Sequence, residues 1–330
     1  MKKISLISFF LFLLFFYLNT KYGYKVISNQ DIIDFFIGNL TDDSKKTILE
    51  LRVFKIFSAI LVGISLPISG FLLQELFKNP LAGPSVLGIS SSSSLAVALF
   101  IFLGLDLLFI NNDFLSEWIL AIFSILGSIL CLLILLLLIK KVHTSSSFIL
   151  VGFLFSAFTG SIISILEYYS QNEQIKNYLV WSLGSFSGLS FDQLVIFCFL
   201  VILGLIFSFK SIHLLKGLML GEEYAISMGI NKFKMNFYII IATSLFVGAS
   251  TAFVGPISFI GIIVPHFCRS IYKPSKLWKQ FILNAIIGSV LMLIFLFISE
   301  QFKLPINIIT VLIGIPTIFM IIFNKKNSFI

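Results

Sequence analysis

The chain has 330 residues, of which 58% are hydrophobic and only 12% are charged, and its mean hydropathy is +1.07. A soluble domain of this length does not need so much apolar surface, so the solvent of this protein is a lipid bilayer. Hydrocarbon offers no partners for backbone polar groups, and long apolar runs should therefore be helices; their continuity excludes the alternating pattern of an outer-membrane barrel. The net charge of +8 could indicate a nucleic-acid partner, and its distribution along the chain decides that question.

Ten apolar segments predict an all-α polytopic protein with about ten transmembrane helices in a single domain, residues 1–330. The first segment is followed by no small-residue cleavage site, so we expect a retained span rather than a secretion signal. The eighth is short and has Pro256 and Pro265 at its borders, which predicts a broken helix. The segments lie at about residues 4–18, 56–77, 86–103, 118–139, 148–166, 192–209, 235–254, 257–271, 280–299 and 305–323.

The charges of the connecting loops predict the orientation. With both termini in the cytoplasm, 15 of the 23 Lys and Arg residues fall on the inner side, but only 3 of the 15 acidic residues do. An excess of Lys and Arg in inner loops is the usual signature of membrane topology. Topology therefore accounts for the basic balance, and no nucleic-acid partner is expected.

A loop rich in Gly, Pro and Ser follows the second predicted span, in the stretch QELFKNPLAGPSVLGISSSSS at residues 74–94. Pro80 disfavours helix at Asn79, so the span should end there, and a new helix should begin near residue 86. Small and hydroxyl residues at such a break either let helix ends approach closely or line a polar path. A plain hairpin whose serines satisfy local backbone groups explains the same pattern. Gln74, Asn79, Pro80, Ser90 and Ser91 are therefore candidates for a path or gate.

A polar interruption between long apolar runs, KGLMLGEEYAISMGINKFK at residues 216–234, still has the pattern of a helix. Leu220, Tyr224 and Met228 share one face at spacings of four residues, and acidic residues occupy the first turn, where the helix dipole favours them. Gly229 is suited to terminate the helix. A short amphipathic helix between spans can lie on the membrane surface or fit a cleft in a soluble partner, and a linker with some helicity is the simpler alternative.

Five motifs in sequence order resemble the FecCD-type permeases of binding-protein-dependent ABC importers for iron chelates, haem and cobalamin. The resemblance runs from about residue 51 to residue 319. Four of the stretches are QELFKNPLAGPSVLG from Gln74, WSLGSF from Trp181, LGEEYAISMG from Leu220 and LPINIITVLIGIP from Leu304. The fifth is FVGPISFIG from Phe253, which is followed by Pro265, His266 and Arg269.

The resemblance implies a type II ABC importer permease fold in the bacterial inner membrane. It also implies the assembly: two permease copies (a homodimer as the first expectation), two ATPase subunits, and a periplasmic or lipid-anchored substrate-binding protein. Residues 217–231 resemble the coupling segment that contacts the ATPase. Within it, the expected coupling residues are Leu220, Gly221, Glu222, Glu223, Tyr224, Ala225, Met228 and Gly229.

The chain lacks a G-x-x-x-x-G-K-S/T phosphate loop, so it is not expected to hydrolyse ATP by that chemistry. We therefore expect a non-catalytic transport subunit that binds no cofactor, with ATP and Mg²⁺ held by the partner ATPase. No metal site is predicted, because Cys131, Cys198 and Cys268 lie in or beside apolar runs without the spacing of metal ligands.

Basic residues at the predicted outer side resemble the family's docking points for a binding protein. Residues 51–55 occupy the position of the family's L-R-x-P-R: Arg52 matches directly, whereas Lys55 keeps the charge without the forked geometry of Arg. Lys303 stands where relatives often carry an arginine. Interfacial anchoring of the span explains the same charges. In the W-x-x-G-S-F loop, Gly184 and Ser185 are further candidates for the translocation path.

Three classes of function compete. The leading one is a permease for an iron chelate, with a ferric siderophore preferred over haem or cobalamin. The alternative is an ion-coupled secondary transporter of a small organic solute, which would normally place ionisable residues at the midplane, whereas here the charges map to loops and span ends. An intramembrane hydrolase using Ser185 and His266 is disfavoured, because the two residues are predicted on opposite sides.

Overall fold

The computed structural model is all-helical in the part of the chain that it describes, which comprises residues 2–104, 113–139, 145–218, 227, 229, 231–271 and 276–323. Twelve helices occur in those ranges, and no strand does. They are α1 Lys2–Lys21, α2 Asn29–Ile37, α3 Asp43–Phe77, α4 Ile89–Phe102, α5 Asp113–Ile139, α6 Ser145–Tyr169, α7 Asn172–Ser182, α8 Phe191–Leu218, α9 Lys232–Val254, α10 Ile260–Ile271, α11 Leu277–Phe302 and α12 Ile306–Phe323.

Each of the ten predicted apolar segments coincides with one of these helices, and α2 and α7 are additional short helices in the predicted outer loops. Seven helices of the described residues are long and apolar enough to cross a membrane. Three apolar helices, Ile89–Phe102, Ile260–Ile271 and Ile306–Met320, are shorter. The total of ten spans, and the side on which the termini lie, remain predictions.

The longest helix, α3, begins at Asp43 and not at residue 56, where the apolar run starts. Asp42 caps it by accepting hydrogen bonds from the backbone N–H groups of Ser44 and Lys45, at 3.0 and 3.3 Å. Its 35 residues span about 52 Å at 1.5 Å per residue. This exceeds a hydrocarbon core of about 30 Å, so α3 extends well beyond the apolar layer and carries Arg52 and Lys55 near one end and Gln74 near the other.

The core is built around α3 and α9. Most side chains of both helices are buried, whereas only a small share of those in α1 and α6 is buried. The main packing partners are α11 for α3, and α8 and α5 for α9. Serine side chains link the helices where they approach: Ser93 of α4 donates to the backbone oxygen of Ser124 at 2.7 Å, and Ser124 donates to that of Gly248 at 2.8 Å.

Glycines set the closest helix contacts. A Cβ atom on Gly63 of α3 would lie 2.6 Å from the carbonyl oxygen of Gly288 in α11, and one on Gly70 would lie 1.7 Å from that of Gly261 in α10. Backbones therefore touch at both crossings, as is typical of membrane helices that pack through small residues. These two contacts fix the position of α3 against α11 and α10.

The short helix α10 agrees with the predicted break. It begins only at Ile260, after a non-helical segment at residues 255–258 and Phe259 in the left-handed region, with φ 66°. Twelve residues span about 18 Å, too little to cross the bilayer alone. Gly255 allows the break: its φ is 86°, and a Cβ atom there would lie 2.4 Å from the carbonyl oxygen of Trp181.

Candidate functional site

A cleft of about 710 Å³ lies at the end of α3 that carries Lys55, and we call it the Lys55 cleft. Its lining brings together residues that the sequence analysis had placed in two groups. Lys55 and Lys303 were docking candidates, and Gly184 and Ser185 were path candidates. A smaller cavity of about 280 Å³ adjoins it and is lined partly by Arg52 and Lys55.

An ion pair stands at the boundary between these two cavities. The Nζ of Lys55 donates to the Oε1 of Glu300 at 2.6 Å, which joins α3 to the last turn of α11, and both residues line both cavities. The two side chains are about a quarter exposed (23% and 28%), so water and ions reach the pair. Sequence reasoning missed Glu300. The signal was present, because Glu300 is the single acid near the end of the ninth apolar segment.

The cleft is lined by more cationic than anionic side chains. Lys303 ends α11 in the left-handed conformation, with φ 53°, and its side chain is exposed. Lys25 lines the adjoining cavity and is also exposed. With Glu300 paired to Lys55, the exposed lysines leave the mouth of the cleft positive. Such a mouth attracts an anionic group of a ligand or partner.

Arg52 points into the protein rather than into solvent. Its guanidinium donates to the backbone oxygens of Thr20 at 2.7 Å and Lys21 at 3.0 Å, and also to that of Lys25. Only 7% of the residue is exposed. Within this chain, Arg52 therefore holds the connection between α1 and α2 against α3, and its role in docking a partner remains a prediction.

The end of α7 and the loop after it are held against the C-terminal end of α9. The backbone N–H of Ser185 donates to the carbonyl oxygen of Val254 at 2.9 Å, and Nε1 of Trp181, in the last turn of α7, donates to that of Ala252 at 3.3 Å. Gly184 adopts φ 74°, which glycine accommodates without strain. The hydroxyl of Ser185 accepts from the N–H of Ser187 at 3.0 Å. The loop is thereby fixed as one wall of the Lys55 cleft.

Asn307, in the first turn of α12, links three segments at this end of the molecule. Its N–H donates to the carbonyl oxygen of Leu183 at 3.3 Å, and its Oδ1 accepts from the N–H of Ser258 at 3.2 Å. Asn307 therefore joins the start of α12 to the loop after α7 through its backbone N–H and to the segment before α10 through its side chain. The importance of Asn307 was not evident from the sequence, because it depends on these long-range contacts.

A second polar cluster lies near the far end of α3. Gln74 Nε2 donates to the carbonyl oxygen of Gly261 at 3.3 Å, and Gln74 Oε1 accepts from Arg269 Nη2. Arg269 Nη1 also lies 3.8 Å from Glu75 Oε1. The cluster joins α3 to both ends of α10. Gln74, a path candidate, thus holds two helices together.

The other path candidates lie beyond this cluster and away from the Lys55 cleft. Asn79 is 5% exposed, and its Oδ1 accepts from the N–H of Leu81 at 2.9 Å, which forms the turn at Pro80. Ser90 is buried and Ser91 is half-buried in the first turn of α4. The structure therefore divides the predicted path residues between two ends of the helix bundle.

The coupling candidates Leu220, Gly221, Glu222, Glu223, Tyr224, Ala225 and Met228 lie outside the described residues. Gly229 is described and adopts φ 78°, a conformation that suits a residue ending a helix. Within the residues that the structure describes, no three His, Cys, Asp or Glu side chains are close enough to hold a metal ion.

Helices long enough to cross a membrane, a central pair of buried helices and a charged cleft at one end define a multi-pass membrane protein. The model of the FecCD transport family matches residues 11–324, and the chain belongs to that family of ABC transporter permeases. Membership decides against the ion-coupled secondary transporter that composition alone had left open. It also agrees with a transport subunit rather than a hydrolase.

Relatives with assigned cargo are similar over most of their length. The vitamin B12 import system permease protein BtuC of Vibrio parahaemolyticus is 33% identical over 292 residues, which cover 86% of this chain and 85% of the relative. The hemin transport system permease protein HmuU of Yersinia pestis is 27% identical over 286 residues, which cover 85% and 84%.

Solved structures show the same fold. An inward-facing metal-chelate type ABC transporter superimposes with a TM-score of 0.80 at 24% identity, covering 98% of this chain and 100% of the other. PsaBC from Streptococcus pneumoniae, solved with a Fab, superimposes with a TM-score of 0.56 at 19% identity, covering 88% and 94%.

Proposed function

We propose that this chain is the permease subunit of an ATP-driven importer that takes up a metal chelate or related cofactor through the bacterial inner membrane. Membership of the FecCD family carries the proposal, and the named relatives import vitamin B12 and hemin. A ferric siderophore is the first candidate for the cargo, and haem and cobalamin are the others. Two copies of the chain would enclose the path, and two ATPase subunits would supply the energy.

The Lys55 cleft is the proposed contact for a substrate-binding protein. The exposed lysines, Lys303 in the cleft and Lys25 in the adjoining cavity, would attract carboxylates on that partner, and the fixed loop around Gly184 would form the opposite wall. The boundary pair Lys55–Glu300 would be reached next, because it lies between the two cavities. Docking there would bring the released cargo to the end of the central helices α3 and α9.

Uptake by the reconstituted complex tests the whole proposal. The permease, its ATPase and its binding protein are placed in proteoliposomes with ATP and offered ferric siderophores, haem and cobalamin in turn. We expect ATP-dependent accumulation of one of these cargoes. Accumulation by the permease alone, or uptake driven by an ion gradient without ATP, would refute an ATP-driven importer.

The coupling role of residues 217–231 is tested by reversing its charge. Replacing Glu222 and Glu223 with lysine should weaken ATPase binding, because both acids are expected in the first turn of the contact helix. Glu173→Lys in α7, predicted on the other side of the membrane, is the matched control. Co-purification of the ATPase measures the effect. If the double variant retains its ATPase as well as the control does, the segment is not the coupling contact.

Lys303 is a sharper test of docking than Arg52. Reversal of Arg52 would also break its bonds to the backbone of the α1–α2 connection, whereas Lys303 is exposed. Lys303→Glu should therefore reduce stimulation of ATP hydrolysis by the binding protein without lowering the thermal stability of the permease. Lys176→Glu, on α7 outside the cleft lining, serves as the control for charge alone. Normal stimulation of the Lys303 variant would rule out this docking point.

A further inference from the structure

The short helix α2 presents three different surfaces around its axis. Ile32 and Phe35 pack toward α3, where they join Leu49 in a small apolar cluster. Ile33, Phe36 and Ile37 are apolar but exposed by 57%, 58% and 65%. With 100° per residue, these three span a sector of roughly 100°, and the polar side chains Gln30, Asp31 and Asp34 occupy the remaining sector.

A helix with one face on protein, one apolar face and one polar face has the pattern expected at the boundary between lipid and water. A helix surrounded by water would expose three large apolar side chains side by side without compensation. In a protein that crosses the membrane, the bilayer is the apolar phase adjacent to the helices. Whether the apolar sector of α2 meets the bilayer depends on where α2 lies relative to α1.

An exposed apolar stripe of α1 leads directly to α2. Phe9, Phe10, Leu13 and Leu14 lie exposed on one face of α1, and that stripe ends at Tyr17. The hydroxyl of Tyr17 donates to Oδ1 of Asn29 at 2.9 Å, the first residue of α2. On the helical wheel, Asn29 lies between Ile33 and Phe36. The apolar sector of α2 therefore borders the face that α1 turns toward lipid.

A cluster of one lysine and two tyrosines lies at the end of α1, next to the start of α2. Lys21 Nζ donates to the Tyr17 hydroxyl at 3.1 Å, and it lies 5.5 and 5.7 Å from the ring centroids of Tyr17 and Tyr22. Tyrosines with a lysine at the end of a span are typical of the membrane–water interface. The end of α1 and the start of α2 are thus at interfacial depth.

We propose that α2 is an interfacial helix whose Ile33, Phe36 and Ile37 enter the boundary between headgroups and acyl chains. Its partner is the lipid bilayer itself. The consequence reaches the Lys55 cleft, because the segment between α1 and α2 contributes Gly23, Tyr24 and Lys25 to the cavity linings. Bound to the membrane through α2 and to α3 through Arg52, this segment forms a wall at a fixed height above the bilayer.

Site-directed spin labels test the proposal in the full-length permease, reconstituted in phospholipid nanodiscs, with Cys131, Cys198 and Cys268 replaced by alanine. Labels are placed at Phe36 and, as the matched control on the polar sector of the same helix, at Gln30. Collisions with oxygen, which concentrates in lipid, are compared with collisions with a water-soluble nickel chelate. We expect an oxygen-to-nickel ratio several-fold higher at position 36 than at position 30. Equal ratios would overturn the proposal.

A photocrosslinking measurement keeps the native cysteines and so does not depend on the stability of the cysteine-free protein. A benzophenone amino acid at position 36 should form lipid adducts on irradiation, and the same group at position 30 should form few. If position 36 instead reacts mainly with an added binding protein and gives no lipid adducts, the exposed sector is a protein contact and the proposal is wrong. Neither measurement depends on which cargo the transporter carries.

Discussion

The pair Lys55–Glu300 shows that the role of a charged side chain depends on its neighbours in the fold. By sequence, Lys55 is a free cation at the edge of a span, whereas the structure pairs it with Glu300 at 2.6 Å. A partly exposed pair of this kind contributes at most about 1 kcal/mol to stability. A carboxylate on a docking protein would have to compete with Glu300 for the same ammonium group.

We therefore expect charge reversal at Lys55 to affect stability through the ion pair with Glu300 and to affect docking through the charge carried by α3. Lys55→Glu places two carboxylates together and should lower the unfolding temperature in detergent slightly. The double change Lys55→Glu with Glu300→Lys restores an ion pair and should recover that loss. If the cationic position on α3 matters for docking, the double variant still shows weak stimulation of the ATPase by the binding protein. Full recovery of both properties would show that only the pairing matters.

Arg52 stabilises the fold in a different way from Lys55, because its hydrogen bonds go to backbone oxygens rather than to another side chain. Arg52→Gln removes donors from the carbonyl groups of Thr20, Lys21 and Lys25. We expect a loss of about 1–3 kcal/mol of unfolding free energy, since hydrogen bonds from a charged donor are lost. Unfolding by detergent titration measures it. A variant as stable as the parent would mean that the connection between α1 and α2 is held by other contacts.

At the scale of helices, the glycine contacts of α3 allow a matched comparison. Gly70→Ala would place Cβ within 1.7 Å of the Gly261 carbonyl oxygen, so the backbones must separate. Overpacking of this kind typically costs about 1–3 kcal/mol. Gly160→Ala in α6 meets nothing within 4 Å, and we expect it to be neutral or stabilising by up to about 1 kcal/mol. Thermal unfolding of the two variants compares them, and equal losses would contradict the close contact.

The attachment of α2 to α3 should respond to acid. Lys45 lies 2.9 Å from Asp31, and this hydrogen bond, with that of Ser28, holds the pKa of Asp31 below its usual value. A carboxylate with a lowered pKa stabilises the folded state above its unfolded pKa, and this contribution disappears as pH falls through the folded pKa. A spin label at Gln30 should therefore become more mobile in strong acid.

Asp31→Asn supplies the control for this pH effect. The variant cannot form the ion pair with Lys45, so its label at Gln30 should be more mobile than that of the parent at neutral pH. Acidification should then change it less than it changes the parent. An equal response in both proteins would assign the acid effect to other groups, such as Asp42, whose pKa is lowered because its carboxylate accepts hydrogen bonds from Ser44 and Lys45.

At the scale of the whole molecule, the orientation rests on the loop charges. Reporter fusions at Lys141 and at Asn172 should report opposite sides of the membrane, because one predicted span separates them. With the termini inside, Lys141 is cytoplasmic and Asn172 is outside, on the same side as the Lys55 cleft. Reporters on the same side would contradict the ten-span topology and the assignment of the cleft to the outer face.

Much of the architecture could be predicted because it depends on local composition. Each apolar run gave a helix, and the break predicted beside Pro256 lies directly before α10, whereas Pro265 lies inside that helix without interrupting it. The short helices α2 and α7 were missed, because each is mixed in polarity and is stabilised by packing on its neighbours. The N-terminal extension of α3 to Asp43 was missed for the same reason: its first turns are polar and helical through their cap.

The site was predicted only in part. Family motifs pointed to Lys55, Lys303, Gly184 and Ser185, and the structure brings these four to one cleft. Motifs gave no sign of Glu300 as the partner of Lys55, of Asn307 as a link among three segments, or of Arg52 turned inward. Each of those facts depends on a distance between residues that are far apart in sequence.

Sequence alone determined the solvent, the apolar helices and the family, because hydropathy and motif order depend on residues that are close in the chain. The tertiary structure decided which charges are paired and which are exposed: Lys55 meets Glu300 across 245 positions, whereas Lys303 stays open to solvent. The physical reason is that an ion pair or a backbone contact acts over a few ångströms. Only packing of α3 against α10 and α11 brings those atoms within that range.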